Sequence, residues 1–194
     1  KIILPGAMAG VAGAVGFFRY GLHDYQRERI MTMFNPDADP LGAGYQILQS
    51  KIALGSGGFT GKGFMEGTQS QLEYLPEKQT DFIFTILGEE FGFVGGLVVL
   101  SIYALVLANT IAIAISCKST FLRLLSMGVA TTFALYVIIN VGMVMGALPV
   151  VGVPLPLISY GGTVMMAVLA GFGLILGAHI HRNAEPPRGA GLFG

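Results

Sequence analysis

The chain has 194 residues, a formal net charge of zero, 53% hydrophobic residues and only 11% charged residues. A soluble domain carries about 25% charged residues, so this composition excludes an ordinary soluble monomer and indicates a membrane protein. The balanced charge offers no basic patch for nucleic acid. The single cysteine, Cys117, excludes an internal disulfide bond and any metal site built from several cysteines.

Four apolar stretches approach the roughly twenty residues that a membrane crossing requires. The first, at 2–18, starts almost at the beginning of a chain that opens with lysine, so we interpret the chain as the C-terminal part of a larger membrane protein. The large loop 19–80 follows, and three more crossings are predicted at 82–116, 124–148 and 161–178. The second of the four is long enough for its first turns to stand in the membrane interface. The sequence therefore predicts an all-α, polytopic transmembrane helix bundle that forms one membrane domain.

The orientation of these crossings follows from their flanking basic residues. Lys118 and Arg123 lie between the second and third stretches, and Arg182 and Arg188 lie in the tail 179–194. Because segments rich in lysine and arginine stay in the cytoplasm, both regions are predicted to be cytoplasmic. Loop 19–80 is then extracytoplasmic.

One part of the loop has helical periodicity. Tyr45, Leu48 and Ile52 fall on one face of a helix, which predicts a short amphipathic helix with Lys51 on its polar side. Two arrangements remain open. The helix lies on the membrane surface with Lys51 near lipid phosphates, or it packs on its own loop.

The segment "GSGGFTGKG" at 55–63 resembles a phosphate-binding loop only superficially. The nucleotide pattern needs glycine where Ser56 stands and serine or threonine where Gly63 stands. We interpret the segment as a flexible loop in which Lys62 and nearby amides can meet a lipid-linked pyrophosphate.

Asp81 stands where the loop ends and the second crossing begins. Thr80 has the chemistry of an N-cap, so Asp81 is predicted to occupy the first helical turn. The helix dipole stabilises an acid there by about 0.3–1 kcal/mol, which is a purely structural explanation. Two observations favour a functional interpretation instead. Acids beside the hydrocarbon region of a membrane are costly and usually functional. Further charged residues also lie close to Asp81 in the sequence, namely Glu77, Lys78, Glu89 and Glu90.

Two stretches, "GTQSQLEYLPEKQTDFIFTILGEEFGFVG" and "NVGMVMGALPVVGVPLPLISYGG", resemble the SEDS family of RodA, FtsW and SpoVE. The similarity covers nearly the whole chain. Val151 stands where FtsW-type relatives usually carry lysine, so the resemblance is closest to the RodA branch. It implies a ten-helix protein of the bacterial inner membrane, of which these are the last four helices. It also implies polymerisation of lipid II for cell elongation and rod shape, in which glycan moves from undecaprenyl pyrophosphate to the 4-hydroxyl of an incoming GlcNAc.

The resemblance also implies a site and partners. Asp81 matches the essential acid of the family, and we expect it to act as general base. A class B penicillin-binding protein is the expected partner, and a divalent cation, Mg²⁺ or Mn²⁺, is expected to assist without a predicted set of protein ligands. For substrate binding we expect charged and polar residues of the loop and the helix start: Arg27, Lys51, Lys62, Gln69, Lys78 and Glu89.

Two other functions remain as alternatives. A lipid II flippase needs a polar path across the membrane, yet only Asn140 and a few hydroxyls interrupt the third crossing. A non-catalytic scaffold for the penicillin-binding protein would tolerate replacement of the loop acids.

Overall fold

The structure, a computed structural model, describes residues 21–39, 42–68 and 79–183. These residues form helices and connecting turns, with no strand among them. Among them are five α-helices: α1 Asp24–Phe34, α2 Ala43–Ser56, α3 Ile83–Ser116, α4 Thr120–Val144 and α5 Gly162–Ile180. A short 3₁₀ turn, Pro36–Ala38, lies between α1 and α2. The predicted crossing at 2–18 lies outside the described residues.

Helices α3, α4 and α5 are each long and apolar enough to cross a membrane. They correspond to the last three predicted crossings, and the predicted all-helical class is confirmed. The bounds of α4 lie four residues earlier than predicted at both ends. It ends early because Gly146 adopts φ 70° and the amides of Ala147 and Leu148 both turn back to the Gly142 carbonyl, at 2.8 and 3.0 Å.

Helix α3 is broken near its outer third. Gly92 has φ 65° and ψ −162°, which interrupts the helical hydrogen bonds and separates a short segment, 83–91, from the longer apolar one. A position of these first turns in the membrane interface stays a prediction.

The glycine-rich segment 57–63 crosses the break and is hydrogen-bonded to it. The amides of Phe93 and Val94, which lose their helical partners at the break, donate to the carbonyls of Gly58 and Phe59 at 3.0 and 3.2 Å. In return, Lys62 and Gly63 donate to the carbonyls of Glu89 and Glu90, both at 3.1 Å. The interpretation of this segment as a flexible loop is therefore wrong.

Close backbone contact explains the glycines of this segment. A Cβ on Gly61 would collide with the Glu90 carbonyl, and one on Gly57 would collide with the Gly88 carbonyl. A larger residue at either position would have to push segment 57–63 away from α3.

Helix α2 packs against α3 and α4, and it also contacts α1 and the 3₁₀ turn of its own loop. Packing on its own loop was one of the two predicted arrangements, and a position on the membrane surface stays a prediction. The face of α2 that is buried consists of small residues and one isoleucine: Gly44, Ile47, Ser50 and Ala53. Leu48 and Ile52, which belong to the predicted apolar face, are 47% and 46% exposed. Ser50 Oγ lies 2.8 Å from Thr85 Oγ1 and donates to the Val144 carbonyl, also at 2.8 Å. Leu48 and Ile52 thus lie outside the packed face of α2, which uses small residues that allow close approach.

The core lies between α3, α4 and the connection 145–161. Tyr103 packs edge-on against Phe133, with 5.6 Å between ring centroids, and Phe133 contacts Phe172 of α5 at 5.3 Å. The Tyr103 hydroxyl donates to the Pro156 carbonyl at 2.6 Å. The connection between α4 and α5 is thus anchored to the helices instead of hanging free.

The other end of the bundle gathers basic residues. The amide of Lys118, in the turn between α3 and α4, donates to the Arg182 carbonyl beyond α5 at 2.9 Å. Cys117 is buried there against Ala178. This end lies opposite Asp81 along α3, and its cytoplasmic position stays a prediction.

Candidate functional site

The segment just before α3 is held by its backbone. Its three carbonyls, from Gln79, Thr80 and Asp81, each accept a hydrogen bond from outside the segment. The donors are the Tyr160 amide at 2.9 Å, Ser159 Oγ at 2.5 Å and Asn140 Nδ2 at 2.8 Å. Together they fix the position of Asp81 relative to α4 and the α4–α5 connection.

Asn140 links three parts of this arrangement. It is fully buried in α4, and its Nδ2 also donates to the Val153 carbonyl at 2.7 Å. In the sequence, Asn140 stands out only as a polar interruption of an apolar helix. A lone asparagine in such a helix is the signal that could have suggested a hydrogen-bonding role, because a buried amide needs partners.

The Asp81 side chain is half-buried and points to Gly152 in the α4–α5 connection. Gly152 has φ 76°, and a Cβ built on it would lie 3.1 Å from Asp81 Oδ2. Glycine therefore serves two needs here, a left-handed backbone and space beside the carboxylate.

The predicted capping of α3 differs from the structure. The helix begins at Ile83 with Phe82 as N-cap, so Asp81 precedes the helix and is not in its first turn. Thr80 is not the cap residue, and its carbonyl accepts the hydrogen bond from Ser159. The tertiary contacts of residues 79–81 replace the local cap that the sequence pattern suggested.

Two basic residues reach the same connection. Lys51 is exposed on α2, and its Nζ lies 2.6 Å from the position that a Cβ on Gly146 would occupy. Arg29 of α1 donates from Nη1 to the Val150 carbonyl at 2.9 Å. Lys51, Arg29 and Asp81 thus all contact residues 146–152, and Arg29 is one that sequence analysis did not select.

The other predicted cations are placed differently. Lys62 forms an ion pair with Glu89, with 2.8 Å between Nζ and Oε1, and Thr68 Oγ1 joins them at 2.8 Å from Lys62 Nζ and 3.1 Å from Glu89 Oε1. The Glu89 side chain is only 1% exposed. Lys62 would have to leave this pair to meet a pyrophosphate, and Glu89 does not face an open site.

The remaining predicted site residues are not part of this arrangement. Arg27 is partly buried on α1, and its Nη1 lies 3.8 Å from Oδ1 of the fully exposed Asp24 on the same helix. Gln69 and Lys78 lie outside the described residues. Within the part of the chain that the structure describes, no three His, Cys, Asp or Glu side chains are grouped to hold a metal ion.

Fold and site together define a class: a helical protein with several membrane-crossing helices and a carboxylate fixed at the end of one of them. The family model described as "Cell cycle protein", which unites FtsW, RodA and SpoVE, matches residues 1–184. The chain belongs to this family, the SEDS family.

Curated relatives are similar over most of this chain. "Peptidoglycan glycosyltransferase MrdB" of Escherichia coli K12 is 54% identical over 162 residues, which cover 84% of this chain and 44% of the relative. "Peptidoglycan glycosyltransferase RodA" of Treponema pallidum is 43% identical, with 80% of this chain and 36% of the relative covered. "Stage V sporulation protein E" of Bacillus subtilis is 40% identical, with 87% and 45% covered. The chain thus spans less than half the length of these relatives.

Solved structures share the fold. One, described as "Structural coordination of polymerization and crosslinking by a peptidoglycan synthase complex", matches with TM-score 0.70 and 37% identity over 94% of this chain and 50% of the other. The rod shape determining protein RodA of Thermus thermophilus matches with TM-score 0.52 and 42% identity over 55% of this chain and 35% of the other.

Proposed function

We propose that the protein is a peptidoglycan glycosyltransferase that polymerises lipid II during bacterial cell elongation, with Asp81 as general base. The names of the MrdB and RodA relatives support the activity. The observation that carries the assignment of Asp81 is its placement: a half-buried acid before an apolar crossing helix, with the carbonyls of residues 79–81 all hydrogen-bonded. A carboxylate held in this way is suited to meet a hydroxyl at a defined position.

The reaction needs one proton transfer and one bond exchange. The 4-hydroxyl oxygen of the acceptor GlcNAc attacks the anomeric carbon of the lipid-linked glycan, and its proton passes to the Asp81 carboxylate. The bond between that carbon and the pyrophosphate oxygen breaks, and undecaprenyl pyrophosphate leaves with the electron pair. The product is a glycan longer by one disaccharide.

Charge on the leaving pyrophosphate has to be offset by cations. Among the predicted cations that the structure describes, Lys51 is the best placed, because it is exposed and lies over the same connection that Asp81 contacts. A divalent cation would take its ligands mainly from pyrophosphate oxygens and water, since Mg²⁺ sites commonly combine one carboxylate with substrate phosphates. Asp81 is the residue that would supply that carboxylate.

The membrane orientation fits an extracytoplasmic reaction. Asp81 lies just before one end of α3 and Lys118 follows the other end. The rule that basic residues face the cytoplasm therefore supports a position of Asp81 at the outer surface of the inner membrane. Loop 19–80 is then extracytoplasmic, and tail 179–194 is cytoplasmic. The similarity to a structure from a peptidoglycan synthase complex supports a partnership with a crosslinking enzyme, which we propose is a class B penicillin-binding protein.

The direct test uses purified full-length protein with its penicillin-binding partner and lipid II. We expect Asp81→Asn to insert and fold but to lose glycan polymerisation, because asparagine cannot accept the proton. Asp24→Asn, which alters an exposed acid on α1, is the matched control and should keep full activity. Full polymerisation by a well-folded Asp81→Ala protein would refute the assignment.

The same samples separate the alternatives. A flippase would move labelled lipid II across proteoliposomes without forming polymer, and a scaffold would support elongation in cells with Asp81 replaced. Asn140, the polar residue that interrupts α4, has both amide hydrogens bonded to carbonyls, which leaves it poorly suited to line a transport path.

A further inference from the structure

Asn140 is a buried amide whose two contacts determine its orientation. Nδ2 lies 2.8 Å from the Asp81 carbonyl and 2.7 Å from the Val153 carbonyl. Both partners are acceptors, so the amide nitrogen has to face them. Oδ1 is buried and has no hydrogen-bond partner among the described residues.

This arrangement is costly if Asn140 only fills space. A buried oxygen without a partner is unfavourable, and an apolar side chain of similar volume would avoid the cost in a helix that faces lipid and core. The two donated hydrogen bonds are therefore the useful feature of the residue. They connect the backbone of Asp81 to the connection that carries Gly152, the residue against which the Asp81 carboxylate lies.

We infer that Asn140 is a positioning residue that sets the depth and direction of the Asp81 carboxylate. It touches neither substrate nor the reacting atoms, and it acts through the backbone carbonyl of Asp81. Ser159 holds the neighbouring residue, Thr80, in the same way, because its Oγ donates to the Thr80 carbonyl. The Ser159 Oγ is itself held in place, since it accepts a hydrogen bond from the Leu155 amide at 2.7 Å. The inference rests on the proposed function, since it assigns to Asn140 the placement of the proposed base.

The first experiment measures kinetics of the full-length enzyme with its partner and lipid II. Leucine at position 140 keeps the approximate volume and removes both hydrogen bonds. We expect Asn140→Leu to lower kcat by about 10–100-fold per folded molecule with little change in KM, because a shift of about 1 Å in a catalytic group costs rate more than affinity. Asn109→Leu is the matched control: Asn109 is exposed on α3, and its Nδ2 donates to the Leu105 carbonyl of its own helix. We expect Asn109→Leu to retain its kcat.

The second experiment reports position without activity. Asp81→Cys is made in a Cys117→Ala background and labelled in membranes with a membrane-impermeant maleimide. We expect Asn140→Leu to change the labelling rate severalfold, and Asn109→Leu to leave it unchanged. If Asn140→Leu yields too little folded protein, Asn140→Ser, which keeps one donor, is used in both experiments and should give a smaller change in the same direction.

The outcomes separate the two proposals. Normal kcat and an unchanged labelling rate in the position 140 variants overturn the role of Asn140, whereas an inactive Asp81→Asn enzyme would still support the proposed base. An active Asp81→Asn enzyme refutes the proposed base, and a changed labelling rate would then still show that Asn140 positions residue 81. A loss of thermal stability with unchanged kcat per folded molecule identifies Asn140 as merely structural and also overturns the inference.

Discussion

Two acids near the start of α3 are treated in opposite ways. Asp81 is half-buried before the helix, and external hydrogen bonds hold the backbone carbonyls of residues 79–81. Glu89, eight residues later, is buried inside the helix, and its carboxylate pairs with Lys62 and Thr68. In the first case the protein fixes the backbone, and in the second it neutralises the charge.

The difference shows how two carboxylates in one membrane-proximal segment acquire different roles. Burial of a charge is tolerated when a partner compensates it, and Lys62 does this for Glu89 where segment 57–63 crosses the break in α3. For Asp81, hydrogen bonds to the main chain set where the residue lies. We therefore expect Asp81 to determine rate and Glu89 to determine stability.

Replacing each acid by its amide gives the largest contrast. We expect Asp81→Asn to lower the polymerisation rate by about 10²–10⁴-fold, the usual contribution of a general base, with an unchanged Tm. Glu89→Gln should lower the Tm and keep the rate per folded molecule within a few-fold. Polymerisation assays and thermal unfolding in detergent measure the two quantities. Similar losses of rate for both variants would contradict the proposed division of roles.

The second-largest effect is expected on the free energy of unfolding when the ion pair between Lys62 and Glu89 is broken. Lys62→Met leaves the buried Glu89 carboxylate without its cation, and we expect it to destabilise the protein by about 3 kcal/mol, as is typical when one partner of a buried pair is removed. The double variant Lys62→Met, Glu89→Leu removes both charges and should recover most of this loss. Thermal unfolding of the three proteins gives the comparison. A double variant as unstable as Lys62→Met would mean that the ion pair is not the source of the effect.

A smaller effect is expected where the Asp81 carboxylate meets glycine. Gly152→Ala places a methyl group near Oδ2 and forces alanine to a left-handed φ of 76°, which costs about 1–2 kcal/mol. We expect a several-fold loss of kcat with a modest loss of stability. Gly161→Ala is the control, because nothing lies within 4 Å of a Cβ at that position and its φ is −177°. Equal behaviour of the two variants would argue against a close fit around Asp81.

The smallest effect concerns the predicted cations. We expect Lys51→Ala to raise the KM for lipid II a few-fold, because its ammonium lies over the connection next to Asp81. Asp24→Ala, which removes a fully exposed acid on α1, is the control and should leave the KM unchanged. Steady-state kinetics at several lipid II concentrations test both variants. Unchanged KM for Lys51→Ala would assign pyrophosphate recognition to other residues.

The sequence predicted the site unevenly. The spacing of apolar residues was enough to find α3, α4 and α5, and motif resemblance selected Asp81. The sequence could not show that Lys62 pairs with Glu89, because the two residues lie 27 positions apart and meet only where the chain crosses the break at Gly92. Nor could it show which face of α2 packs within the protein, since periodicity marks large apolar residues while the buried face uses Gly44, Ser50 and Ala53.

By itself, the sequence determined the class of the protein, its apolar crossings and its family. These follow from local composition and contiguous motifs, and they require no knowledge of which residues meet. Only the tertiary structure decided how Asp81 is held, because its partners Asn140 and Ser159 come from α4 and the connection after it. Hydrogen bonds between segments distant in sequence leave no periodic trace in the chain, so the geometry of the proposed base becomes visible only once the helices are packed.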